Sequence, residues 1–179
     1  IQIPSAEPLE FHKINVGIDY FLEKKRHVYK FNVGAIQNFE IGFSGGTVPT
    51  EGVFINAKYF VMSNHERFAM SIAAGFENLG SHDKTAVYMV SSKKFHGGWD
   101  GHFGFRATFK ESVNAAAMFG IQYMLDSRVA LLGDVIGENN KYVVNAAMRY
   151  AIENNMEFRM SMLDITKNQE DQVLTMGIS

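Results

Sequence analysis

The chain has 179 residues, of which 17 are Lys or Arg and 19 Asp or Glu, giving a formal net charge of −2. That near balance leaves no basic field to hold a phosphate backbone and excludes a dedicated nucleic-acid binder. A hydrophobic share of 46% argues for a folded chain, and the absence of Cys excludes a disulfide scaffold, a thiol nucleophile and a Cys-ligated metal.

Alternation with a period of two recurs from end to end and predicts strands. From Lys13 to Leu22, Ile14, Val16, Ile18 and Tyr20 share one face, opposed by Lys13, Asn15, Gly17 and Asp19. From Val28 to Ile36, Tyr29, Phe31, Val33 and Ala35 oppose Lys30, Asn32 and Gly34. After a tight Gln37-Asn38 connection, Phe39, Ile41 and Phe43 oppose Glu40, Gly42 and Ser44. Strands are expected at 52–62, with Asn56 and Lys58 on the polar side, and at 68–77. A less regular one covers 85–92, where Ala86, Tyr88 and Val90 alternate with Val87, Met89 and Ser91. The clearest runs from Trp99 to Thr108: Phe103 and Phe105 alternate with Asp100, His102, Gly104 and Arg106. Further strands fall at 113–124, 128–136, 142–152, 156–164 and 172–178, with Asp134, Arg149, Glu157 and Arg159 on their polar faces.

Segments 111–125 and 143–156 are rich in Ala and Met, so a helix is the alternative reading there. Their alternation, and the turns that follow at Asp126-Ser127 and Asn154-Asn155, favour strands. Val113-Asn114-Ala115-Ala116 recurs as Val144-Asn145-Ala146-Ala147, a spacing that suits a repeated hairpin. Twelve strands with no Pro inside any of them make an antiparallel meander, and closing such a sheet removes its edges. The expected fold is therefore all-β, a single domain over 1–179, closed as a meander barrel of about 12 strands.

The question is then which face meets what. No apolar run approaches the roughly 18–20 residues a membrane-spanning helix needs, but a transmembrane strand needs only about 9–11. The chain opens at Ile1 with no basic, apolar, small-residue leader, which fits a leader already removed or a trimmed chain. Bulky rings cluster near strand ends (Tyr20, Tyr29, Phe43, Phe68, Phe76, Trp99, Phe109, Tyr123, Tyr142, Tyr150), as interfacial girdles require. The connections 23–27, 46–51, 78–84, 109–112, 138–141 and 166–171 are longer on average than those alternating with them. That suits termini on the short-turn side. A transmembrane barrel with lumen-facing charges is expected: Lys13, Asp19, Lys30, Glu40, Lys58, Asp100, His102, Arg106, Asp134, Arg149, Glu157 and Arg159, paired across a narrow lumen. The alternative is a soluble barrel with the same faces inverted, binding a lipid-like ligand in an apolar interior.

A family resemblance rests on Ile1-Gln2-Ile3-Pro4-Ser5-Ala6-Glu7 followed by His12-Lys13-Ile14-Asn15-Val16-Gly17, on Ile55-Asn56-Ala57-Lys58-Tyr59, on Ala73-Ala74-Gly75-Phe76-Glu77-Asn78-Leu79-Gly80 and on Val87-Tyr88-Met89-Val90-Ser91-Ser92-Lys93. In this order they resemble Gram-negative outer-membrane barrels of the YjbH-like type, associated with exopolysaccharide export. The resemblance implies an outer-membrane location and contact with outer-membrane lipid. It supplies no reaction. Such barrels usually finish in an aromatic residue, whereas this chain finishes Met176-Gly177-Ile178-Ser179.

Little chemistry is written into the motifs. Gly97-Gly98-Trp99-Asp100-Gly101 lies inside a strand pattern and reads as barrel glycine, not as a phosphate loop. The six His are scattered without metal-ligand spacing, so no metal and no cofactor is expected. Asp100 and His102, two apart on one face, are the best acid–base pair, and a lumen pair satisfying its neighbours is the plainer reading. Arg106, Arg149, Arg159, Lys58 and Lys13 form either a positive strip that selects anions or half of a self-neutralising network. The expected function is passive rather than enzymatic: a narrow pore or a structural envelope element, alone, as a homo-oligomer or with other envelope proteins.

Overall fold

The computed structural model describes residues 3–7, 9–22, 25–46, 52–62, 70–81, 84–138, 141–153, 156–166 and 173–179. They form twelve strands: β1 (Ile14–Phe21), β2 (Arg26–Ile36), β3 (Phe39–Gly46), β4 (Val53–Met62), β5 (Ser71–Leu79), β6 (Ala86–Lys94), β7 (Trp99–Phe109), β8 (Val113–Met124), β9 (Val129–Glu138), β10 (Lys141–Glu153), β11 (Met156–Leu163) and β12 (Val173–Ile178). Each pairs antiparallel with the next, and β1 pairs with β12, so the meander closes into a barrel. At a strand spacing of about 4.8 Å and a tilt of about 40°, twelve strands make a cylinder ~24 Å across, backbone to backbone.

The Ala- and Met-rich segments are the strands β8 and β10, not helices. Each is laddered on both edges, and these cross-strand hydrogen bonds outweigh the helix propensity of Ala and Met. The repeated tetrapeptide occupies matching places on the two strands: Asn114 and Asn145 face inward, and Ala116 and Ala147 are buried one step further on. The strand expected at 68–77 runs instead as β5 from Ser71 to Leu79, and Phe68 lies outside the described residues.

The outward face is apolar around the barrel. Ile14, Val16, Phe31, Tyr59, Phe105, Phe119, Leu131 and Met148 are all exposed on it, while buried Asp19, Ser92, Thr108, Asp134, Asn145, Ser161 and Thr175 face inward. The soluble alternative needs the reverse, an apolar interior under a polar surface, and does not fit this arrangement. The rule is broken most on β6, and also at Met118 of β8 and Ile136 of β9. On β6, Val87 and Met89 face out while Tyr88 and Val90 are buried inside. They join Ala73, Ala116, Met118 and Ile136 in an apolar patch on the lumen wall.

Exposed rings gather at both rims. Tyr20, Tyr29, Phe43, Phe109 and Tyr142 lie toward one, and Tyr59, Trp99 and Tyr150 toward the other, where Trp99 stacks on Tyr123 at 4.3 Å between ring centres. Connections average about five residues at the first rim and about four at the second, so the first rim carries the longer ones by a small margin, as expected.

Candidate functional site: the barrel lumen

Three groups of ion pairs lie on the inner wall. Asp19 on β1 accepts from Lys30 Nζ on β2 at 2.6 Å and from Arg159 Nη2 on β11 at 2.9 Å. The second contact reaches over β12, where Asp19 pairs with Gly177, and a Cβ at 177 would overlap the Asp19 carboxylate. Glycine therefore opens the way for the ion pair that spans the closing seam. Glu40 on β3 faces Lys58 on β4 in direct register, and their side chains meet at 3.0 Å, both largely shielded. Arg149 on β10 and Glu157 on β11 pair at 3.6 Å.

These pairs join neighbouring strands or reach across one strand. They do not cross the barrel as expected from the sequence, because side chains a few ångströms long cannot bridge a lumen of this width. Several other inward groups find polar partners. Asp134 accepts from Asn145, whose own carbonyl accepts from the Asp164 amide at 2.9 Å. Asp100 accepts from Gln122 at 3.2 Å. Arg106 lines a cavity of about 450 Å³, and among the described residues its Nε has no hydrogen-bond partner. Lys13 departs from the expectation: it precedes β1 and pairs with Glu10 at 3.0 Å, with both side chains exposed.

The Asp100–His102 pair does not form an acid–base couple. His102 Nδ1 lies 2.7 Å from Ser92 Oγ, while Asp100 is engaged by Gln122. The same Ser92 oxygen accepts from the Ala6 amide at 2.8 Å, so the hydroxyl is enclosed between a ring nitrogen and a main-chain N–H. A nucleophile needs a base held by a third group; among the described residues no third group hydrogen-bonds the His102 ring, and Ser92 serves as an anchor for the Ala6 amide. Among the described residues no cluster of His, Asp and Glu is arranged to hold a metal ion.

What Ser92 anchors was not legible in the sequence. Residues 3–7 and 9–10, ahead of β1, turn back into the barrel as a strap. Near β1, the Lys13 amide donates to Glu10 O at 3.0 Å, and Gly34 leaves the room that Glu10 O occupies. The Leu9 amide donates to Glu40 Oε2 at 2.9 Å, and Glu7 O accepts from Lys58 Nζ at 2.7 Å. Glu7 Oε1 pairs with Lys94 at 2.7 Å, and Ala6 is fully buried. Ile3 packs on the apolar patch with Tyr88 and Met118. The strap thus touches β2, β3, β4, β6 and the patch that includes β8, crossing the lumen. Of the cavities beside the strap, two are lined in part by Ile3. One, of about 450 Å³, is bordered by Lys30, Asn32, Glu40, Lys58, Glu77 and Arg106. The other, of about 220 Å³, is bordered by Ser5, His102, Gln122, Arg149, Glu157 and Arg159.

Similar folds are known. A KdgM porin superposes with a TM-score of 0.68 at 15% identity, covering 92% of this chain and 96% of its own. A NanC porin does so at 0.63 and 14% identity, covering 93% and 98%. The COG4313 outer membrane channel from Pseudomonas putida F1 gives 0.64 at 10% identity, covering 99% and 98%. No protein-family model matches the chain, and no curated protein matches it. At these identities the shared property is the barrel fold.

Proposed function

We propose that this chain is a Gram-negative outer-membrane barrel acting as a narrow passive pore, surrounded by outer-membrane lipid. The observation that carries the proposal is the inversion of the usual globular pattern. An apolar exterior belted by rings at both rims encloses a wall of ion pairs. A hydrocarbon surround rewards that arrangement and water penalises it. The barrels of similar fold are porins and a channel by name, which supports the same reading.

The lumen-facing charges expected from the sequence are, on this proposal, what a solute meets. Arg106 borders one cavity, and Arg149 and Arg159 the other. Oligogalacturonate, present in one KdgM porin structure, is the first solute to assay. A place among YjbH-like exopolysaccharide-associated barrels is a finer proposal resting on the short motifs of β4, β5 and β6. Assembly with envelope proteins or with a second copy belongs with it.

A structural barrel without flux is the second reading, favoured by the strap that fills the lumen beside the apolar patch. Conductance separates the two. Protein folded in detergent, with an SDS mobility that shifts on boiling, is inserted into a planar bilayer. Discrete current steps support the pore. Silent insertion supports the structural barrel, and quantitative recovery in detergent-free buffer with no mobility shift would sink both.

A further inference from the structure

The strap is held mainly through its main chain. The Ala6 and Leu9 amides donate to Ser92 and Glu40, and Glu7 O accepts from Lys58. None of these bonds depends on the shape of a strap side chain, and water can replace each partner when the strap withdraws. Its ion pairs, Glu7 with Lys94 and Glu10 with Lys13, are exposed on both sides and therefore weak. Ile3 and Ala6 provide the apolar hold, against the β6 and β8 side chains of the patch. Nothing in the closed ladder requires the strap, since every strand pairs with its two neighbours without it.

We propose that the strap, Ile3 to Glu7 with Leu9 and Glu10, is a displaceable partition, and that Glu7 on it is a selectivity-determining residue of the pore. The inference rests on the pore reading. With the strap seated, Ile3 lines the cavity of about 450 Å³ and the cavity of about 220 Å³, and Glu7 lines a further one of about 110 Å³ beside Ser92 and His102. With it withdrawn, they join into one passage. Withdrawal also removes the Glu7 carboxylate from beside Lys94, so the open passage is more positive than the closed one. Conductance and anion preference then rise together. The Tyr88–Val90 face, inward on a strand that otherwise follows the outward-apolar rule, is the seat on which Ile3 and Ala6 rest.

The test uses the full chain in planar bilayers and in vesicles. The chain has no Cys, so Ser5→Cys supplies one reactive thiol at the edge of the cavity of about 220 Å³. A membrane-impermeant maleimide should label it slowly. Adding Ala6→Pro removes the amide that Ser92 accepts and places a ring where there is no space. Labelling and conductance should then each rise severalfold. Should Ala6→Pro fail to show the boiling-dependent mobility shift, Leu9→Pro removes the Glu40 contact outside the apolar patch and replaces it. Glu7→Gln keeps the main-chain bonds, and its reversal potential should move toward anion preference. Unchanged labelling with a measurable but unchanged current would overturn the partition alone. An unmoved reversal potential in Glu7→Gln would overturn the role of Glu7. Faster labelling with no current from any variant would overturn the pore reading, and the joined passage with it.

Discussion

Adding one methyl group at Gly177 should unlock the barrel at its closing seam. β1 and β12 share only four paired rungs, Ile18 with Ile178 through Phe21 with Thr175, whereas β1 and β2 share eight. Asp19 reinforces the short seam by reaching over Gly177 to Arg159. A glycine inside a strand normally costs roughly 0.5–1 kcal/mol relative to alanine, so Gly177→Ala would ordinarily stabilise. Here the new Cβ falls on the Asp19 carboxylate and 3.0 Å from Ile18 O. Displacing Asp19 from Arg159 forfeits a hydrogen bond between charged groups, worth about 1.5–3 kcal/mol. The net expectation is a loss of about 1–2 kcal/mol once the backbone gain is subtracted.

Asp19→Ala makes the reasoning decisive. In that background the methyl has no carboxylate to displace, so Gly177→Ala should be neutral or mildly stabilising, a reversal of sign. The double-mutant cycle should then return a coupling of about 1.5–3 kcal/mol. Urea unfolding in detergent, followed by the fluorescence of the single Trp, supplies the four free energies. Additive effects, or a Gly177→Ala variant more stable than the parent, would refute the seam argument.

Three further outcomes follow from other parts of the barrel. Phe119, 58% exposed at the middle of β8, should tolerate Arg poorly if it faces hydrocarbon: a loss of about 2–4 kcal/mol in lipid vesicles, against almost none for an exposed surface in water. Asn145→Ala removes the donor to buried Asp134 and the acceptor of the Asp164 amide, and should cost about 2–3 kcal/mol by the same urea titration. In the turn before β9, Asp126 Oδ1 accepts from the Arg128 and Val129 amides at 2.6 and 2.8 Å, and these donors hold the carboxyl below its usual range. A lowered folded-state value means stability that is present above the ordinary carboxylate range and lost as pH falls through the lowered one. The stability gap between the parent and Asp126→Ala should therefore close on acidification below about pH 4, and a gap that widened instead would reverse the assignment.

Much of the wall was legible because a period of two assigns each residue to a face. Asp19, Lys30, Glu40, Lys58, Arg149, Glu157 and Arg159 could be read as one inward set from alternation alone. Their pairing could not, since it depends on register. Glu40 and Lys58 meet because the β3–β4 ladder sets them opposite each other. Ser92 and His102 meet for the same reason on β6 and β7, and no sequence spacing announces it. The strap was invisible because its bonds use amides and carbonyls that every residue carries. Its traces are indirect: Gly34 where Glu10 O intrudes, and the irregular alternation of β6. That irregularity is accounted for once Tyr88 and Val90 are seen as the surface on which Ile3 and Ala6 rest.

The width of the barrel explains why the strap is there. A cylinder ~24 Å across leaves about 12 Å free after side chains project from both walls, too wide for wall residues to touch and too narrow for a second layer of structure. Such a space is filled by water or by one extended segment of chain. This protein does the second, and it does so with residues that complete Ser92, Glu40 and Lys58 without joining the ladder. The ion pairs stay on the wall whether the strap is seated or withdrawn, because Asp19–Lys30, Glu40–Lys58 and Arg149–Glu157 close between adjacent strands. A wall whose ion pairs close between adjacent strands can lose its filling without collapsing. The fold therefore permits a barrel that is stable both closed and open, with the strap deciding between them.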